Sequence, residues 1–287
     1  MKILIKDLPS VSFTPEIDIN PKYIILHCIG YDSKKALDLL TKPTNEGGAG
    51  VSAHYFIEDI QLRFLSEDTA YPIYQLVPET KKAWHAGISS WRQDKNLNSC
   101  ALGIEFNSPN YANAMEKKPD DELNWLHFEE FGDDQIKAGI ELLKQLIQKY
   151  NIAPECILAH SDIAPWRQAD SEVVLGKTDP GSKFPWEKLA RAGIGVWPKN
   201  ERTRTTKLDL SVENAQQLLS TYGYAVDVTG TLDEKTKYAL RAFQWHFVPD
   251  QCDGNIIERT IIRLENLIDK QYQYQPLQNS NFDNEMK

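Results

Sequence analysis

The chain has 287 residues, room for two domains, and its 41% hydrophobic and 25% charged residues are those of an ordinary soluble globular protein. A formal net charge of -9 argues against a nucleic-acid partner, because such binding needs clustered positive charge to displace counterions from phosphates. No apolar run approaches the roughly 18 residues of a membrane span, and the start, MKILIKDLPSVSF, carries Lys6 and Pro9 where a secretory signal has an unbroken apolar stretch.

Taken in chain order, YIILHCI at 23–29, VSAHYFI at 51–57 and ALGIEF at 101–106 have the length and β-branched, apolar composition of strands. A long helix is predicted next, with Ile136, Ile140, Leu143 and Ile147 at helical spacing behind the capping candidates Asp133 and Asp134. It should stop near Asn151, with Pro154 beyond, and CILA at 156–159 reads as another strand. Strands interleaved with long helices imply an α/β layer fold. The cysteines Cys28, Cys100, Cys156 and Cys252 form no close pair and read as small buried apolar residues.

The stretch GIGVWPKNERTRTTK at 193–207 is rich in glycine, proline and charge, so a first domain is placed at 1–198 and a linker at 199–207. Beyond it the pattern is purely helical. Ser211 can cap a helix carrying Val212, Ala215, Leu218, Leu219 and Tyr222 and ended by Gly223. Leu232, Thr236, Ala239, Leu240, Phe243 and Phe247 mark a second helix, and Ile257, Ile261, Leu264 and Ile268 a third, giving a small all-α domain at 208–272. The polar tail at 273–287, biased toward Gln and Asn, is expected to be disordered.

Four of the six histidines, His27, His54, His85 and His160, fall where an α/β site could use them. One at a time, a histidine on a strand is more often structural than a ligand, and the sequence has no H-E-x-x-H metalloprotease motif. Read together, IILHCIG, VSAHYFI, KAWHAGISSWR, NLNSCALGIEF, ILAHSDIAPWR and KTDPGSKFPW, followed by GIGVWP, stand in the order found in a known family. Over roughly residues 20–198 the chain resembles zinc-dependent N-acetylmuramoyl-L-alanine amidases related to T7 lysozyme and the peptidoglycan-recognition proteins. That resemblance implies a central mixed β-sheet flanked by helices.

Carried over position by position, it makes His27 and His160 ligands of one zinc ion, with an aspartate as the third. Two imidazoles and a carboxylate leave one position of tetrahedral zinc for water. The family's acidic catalytic residue falls on Glu105. Ungapped counting from His160 would make the third ligand Asp170, but it puts Gln168 where the family has lysine and loses the following Pro-Gly. An insertion, QADSEVVLG at 168–176, recovers Lys177, Asp179, Pro180 and Gly181 together, and so favours Asp179 as ligand and Lys177 as the partner of the developing oxyanion. Asp162 is read as a local acceptor in the SDIAP turn. Trp84, His85 and Arg167 are the expected substrate contacts and His54 either supports the site or contacts substrate, while packing is an equal reading for Trp84 and for Trp91.

The helical domain resembles small peptidoglycan-binding modules through LLSTYGYAVDVTGTLDEKTKYALRAFQWHF, departing at Leu232 and Asp233 where such modules carry Phe-Gly. The expected substrate is therefore peptidoglycan or its muropeptides. A non-catalytic peptidoglycan receptor and a zinc peptidase acting on stem peptides are the alternatives. A wall-binding module suits the periplasm or cell envelope, whereas the start of the chain and the unpaired cysteines suit the cytoplasm. Nothing in the sequence sets the oligomeric state.

Overall fold

The computed structural model describes residues 1–60, 70–108 and 130–277. Its strands in chain order are β1 (Ile3–Asp7), β2 (Phe13–Asp18), β3 (Tyr23–Ile29), β4 (Tyr55–Ile57), β5 (Tyr71–Gln75) and β6 (Lys81–Ala83). They continue with β7 (Ser90–Trp91), β8 (Asp94–Lys95), β9 (Ala101–Asn107), β10 (Ile157–Ala159), β11 (Trp166–Ala169) and β12 (Glu172–Leu175). The helices are α1 (Ser33–Thr41), α2 (Asp133–Tyr150), the single turn α3 (His160–Ile163), α4 (Trp186–Arg191), α5 (Val212–Tyr222), α6 (Glu234–Phe247) and α7 (Glu258–Ile268).

Six strands form the central sheet in the order β1-β5-β4-β9-β3-β10. Only β4 and β5 pair antiparallel, so the sheet is mixed. Strands β3 and β9 are buried along almost their whole length, as expected of strands with both faces covered. Their parallel register sets His27 opposite Glu105, which sends both side chains out of the same face.

Helix α2 buries the predicted stripe of Ile136, Ile140, Leu143 and Ile147 and ends at Asn151 in the left-handed conformation. Asp133 and Asp134 lie inside its first turn with Gly132 as the cap, where their charge favours the positive end of the helix dipole. The predicted strand at 51–57 shortens to 55–57. Before it, Ser52 and His54 donate their backbone N–H groups to Trp84 and Gly103 instead of to a ladder. Strands β1, β2, β5 and β6 were not visible in the apolar pattern, because their burial is partial. The four cysteines are free, and all but Cys100 are buried.

Helices α5 to α7 close the C-terminal core. Ser211 caps α5 by accepting from the Asn214 N–H at 3.2 Å, and Asp233 caps α6 by accepting from the Thr236 N–H at 2.8 Å. Two buried glutamines pin the loops. Gln216 accepts from the N–H groups of Thr229 and Gly230, and Gln244 accepts from that of Gly254.

The expected linker is anchored to α7 and the residue after it, with Arg202 paired to Glu265 at 2.7 Å and Arg204 to Asp269 at 2.6 Å. The first residues of the expected disordered tail are also held. Gln273 N–H donates to the Trp197 carbonyl at 2.7 Å, Leu277 N–H to that of Gly193 at 2.9 Å, and the Tyr274 hydroxyl to Glu187 at 2.6 Å. Tyrosine area and backbone pairing outweigh the polar composition there. The remaining tail, 278–287, lies outside the described residues. No helix among the described residues is long and apolar enough to cross a membrane.

Candidate active site

Three side chains from separate parts of the chain converge at the ends of β3 and β10. His27 Nδ1 lies 3.0 Å from His160 Nδ1 and 3.2 Å from Asp179 Oδ2, and His160 Nδ1 lies 3.0 Å from the same carboxylate oxygen. His27 comes from β3, and His160 opens the α3 turn directly after β10. Asp179 is fixed by its backbone, whose carbonyl accepts from the Ser161 N–H at 3.0 Å. This is the group of side chains able to hold a metal ion among the described residues.

The segment 166–175 explains how Asp179 reaches the cluster. Strands β11 and β12 form a hairpin, with Asp170 exposed in its turn in the left-handed conformation at φ 49. Its base is closed by Gly176 N–H donating to the Pro165 carbonyl at 3.0 Å and Lys177 N–H to that of Ala164 at 2.8 Å. The chain therefore resumes at Lys177 beside the point where it left. Gly176 permits this closure, since a Cβ there would stand 2.1 Å from the Ala164 carbonyl oxygen.

Behind His27 stands His85, which is a correction to the expectation that it contacts substrate. His85 is 7% exposed, and both ring nitrogens are engaged, Nε2 with the Ala101 carbonyl at 3.2 Å and Nδ1 with His27 Nε2 at 3.0 Å. A carbonyl only accepts, so His85 donates from Nε2 and accepts at Nδ1 from the His27 Nε2–H. That order of tautomers leaves the His27 Nδ1 lone pair facing His160 and Asp179. Gly103 makes room, for a Cβ there would lie 2.4 Å from the His85 ring.

Of the two roles expected for His54, support and substrate contact, its placement fits support. It is fully buried, accepts at Nδ1 from the Gly103 N–H at 3.0 Å and donates from Nε2 to the Lys81 carbonyl at 2.9 Å. His54→Ala strands both backbone groups and is expected to lower stability by about 2–6 kcal/mol, at roughly 1–3 for each unsatisfied buried group, in a urea unfolding curve. A raised KM at unchanged stability would instead restore a substrate contact.

Burial holds His54 and His27 down to about 4, for His27 with the help of the neighbouring His160, and holds His85 well below its usual range. All three rings are therefore neutral near pH 7. Burial opposes ionisation of Asp179, but His160 and then His27 hold its carboxyl well below the usual carboxylate range. Glu105 moves the other way. Burial and then the Asp179 charge push it well above 4.5, against the pull of Lys177. Its Oε2 is buried with no hydrogen-bond partner.

The remaining expected residues are, unlike the cluster, exposed, with Trp91 the exception. Lys177 and Arg167 are exposed, Arg167 on the β11 strand of the hairpin. Trp84 is 39% exposed, its indole N–H donating to Thr14 at 2.9 Å, while Trp91 is fully buried against Tyr222 and Tyr224. Trp91 is thus packing and Trp84 offers an open face. Asp162 is the local acceptor expected from the SDIAP turn, with two long-range partners that no local motif signals. It accepts from the Ala159 N–H at 2.8 Å, but also binds Tyr224 and His246 of the helical domain.

The family model for N-acetylmuramoyl-L-alanine amidase matches residues 18–182, and that for a putative peptidoglycan binding domain matches residues 209–260. N-acetylmuramoyl-L-alanine amidase AmiD of Escherichia coli is 34% identical over 255 residues, which span 87% of this chain and 83% of that protein. The structure of E. coli AmiD in complex with the substrate anhydro-N-acetylmuramic acid-L-Ala-D-gamma-Glu-L-Lys superposes with a TM-score of 0.69 at 32% identity, covering 90% of this chain and 92% of AmiD. AmpDh3 of Pseudomonas aeruginosa superposes with a TM-score of 0.64 at 30% identity, covering 93% of this chain and 99% of that one.

Proposed function

The chain belongs to the N-acetylmuramoyl-L-alanine amidase family, and from that premise we propose how its buried cluster performs the family's reaction. The protein is an amidase that hydrolyses the bond between N-acetylmuramic acid and L-alanine in peptidoglycan or its muropeptides. In our reading His27 Nδ1, His160 Nδ1 and Asp179 Oδ2 hold one zinc ion. The observation that carries it is the convergence of these three atoms within 3.0–3.2 Å of one another, with a donor set of two imidazoles and one carboxylate that suits hydrolytic zinc. When bound, zinc acidifies a water and polarises the scissile carbonyl.

The chain's own groups carry the proton and the charge. Glu105 leaves the same sheet face as His27 and presents an unpartnered buried oxygen, which accepts the proton of the attacking water and returns it to the departing alanine nitrogen. Lys177 places positive charge close enough to be felt by Glu105 and His27, where it offsets the negative charge of the tetrahedral intermediate. His85 fixes the tautomer of His27. Removing such a partner of a metal-bound imidazole typically weakens metal affinity about 10–100-fold, and we expect that loss for His85→Ala in competition with a chromophoric chelator. An unchanged affinity would remove His85 from this role.

The peptidoglycan-binding family match and the bound ligand of AmiD support a muropeptide substrate and work at the cell wall. Incubating the protein with an anhydromuramyl peptide and weighing the products tests the reading. Free peptide beginning at L-alanine, together with the intact sugar, is expected. A shortened stem peptide would mean a peptidase, and no cleavage a receptor.

A further inference from the structure

The helical domain touches the catalytic centre through one buried carboxylate. Asp162 is 1% exposed, and a carboxylate so placed needs hydrogen-bond donors to offset its lost hydration. It has three. Oδ2 accepts from the Ala159 N–H at 2.8 Å and from His246 Nδ1 at 2.7 Å, and Oδ1 accepts from the Tyr224 hydroxyl at 2.5 Å. The first donor belongs to the residue before His160, while the other two come from α6 and from the loop after α5.

We propose that the C-terminal helical domain is a positioning part of the catalytic centre, in which Tyr224 and His246 hold Asp162, and Asp162 fixes the corner that aims His160 at the metal. The proposal rests on the zinc reading given above. Its second support is that the same corner also carries Asp179, because Ser161 N–H donates to the Asp179 carbonyl at 3.0 Å. Residues 159 to 162 thus set two of the three donor side chains. Left with the Ala159 N–H alone, the Asp162 carboxylate would turn toward water and release that corner.

His246 is itself held rigidly. Its ring stacks on Trp186 at 3.7 Å and 26°, and Trp186 opens α4 just beyond the Asp179 loop. Two more contacts keep the Tyr224 loop in place, Arg92 N–H donating to the Gly223 carbonyl at 2.9 Å and the Trp166 indole N–H to that of Ala225 at 3.2 Å. The second of these comes from the base of the inserted hairpin, so hairpin and helical domain brace the corner together.

The test uses the full chain with Tyr224→Phe, His246→Ala and His246→Asn, the asparagine placing an amide donor near the position of Nδ1. Zinc affinity by chelator competition should fall about tenfold or more in the first two, with kcat reduced and KM for an anhydromuramyl peptide little changed. His246→Asn should recover most of the loss. The visible spectrum of the Co2+-loaded protein should shift in the same two variants, as a change of ligand geometry requires. Should His246→Ala not fold, Tyr224→Phe, which removes one oxygen atom, carries the test. Wild-type affinity and an unaltered cobalt spectrum in folded Tyr224→Phe and His246→Ala would overturn the proposal. Absence of zinc binding in the wild type would overturn the reading beneath it instead.

Discussion

Asp179→Ala is expected to abolish zinc retention and to lower kcat/KM by at least about a thousandfold, because both the acidified water and the polarised carbonyl depend on the third ligand. Asp170→Ala should leave both within about twofold, the scale of an exposed substitution far from the chemistry. The contrast follows from placement. Asp179 presents its carboxylate to two buried imidazoles, whereas Asp170 sits exposed in a hairpin turn. Each variant loses one carboxylate, and a urea unfolding curve for both separates lost stability from lost metal. Zinc content after gel filtration and initial rates on a muramyl peptide give the answer. Loss of zinc in Asp170→Ala with retention in Asp179→Ala would reverse the assignment.

Glu105→Gln should behave differently, keeping zinc affinity within a few-fold while kcat falls about 10²–10⁴-fold, the range for a positioned general acid-base group. Glutamine preserves the volume beside His27 and removes only the proton acceptor. The pH dependence gives a second readout. Glu105 works as a base, so activity rises with pH as its carboxyl ionises. Burial and the Asp179 charge place that ionisation above 4.5. A kcat/KM profile for the wild type should therefore carry an acid limb that Glu105→Gln lacks. A variant that loses zinc along with activity would show Glu105 to be structural.

How far the sequence shows this architecture depends on how local each feature is. β3, β9 and α2 declare themselves, since a buried strand is a continuous apolar run and an amphipathic helix repeats every three to four residues. The strands at the sheet's other edge do not. β1 and β5 alternate or contain proline, and they earn their place by pairing across more than sixty residues of chain.

The site divides in the same way. His27, His160, Asp179 and Glu105 stand in motifs whose order can be checked along the chain; the first three side chains lie together and Glu105 sits opposite His27 in the sheet. His54 and His85 carried the same kind of signal but stand behind the cluster. Whether a histidine faces substrate or supports a neighbour depends on which carbonyl lies beyond it, here those of Lys81 and Ala101. The partnership of Asp162 with Tyr224 and His246 spans sixty-two and eighty-four residues. No local pattern encodes it. The inserted hairpin was legible only as a gap, and its closure at Ala164 and Lys177 is what lets the motif continue beyond it.

The most direct measurement is an anomalous difference map at the zinc edge from crystals of the zinc-loaded protein. The account predicts one strong peak about 2.0–2.2 Å from His27 Nδ1, His160 Nδ1 and an Asp179 carboxylate oxygen. A peak held through Nε2 of His27, a peak at Asp170, or no peak at the cluster would contradict it.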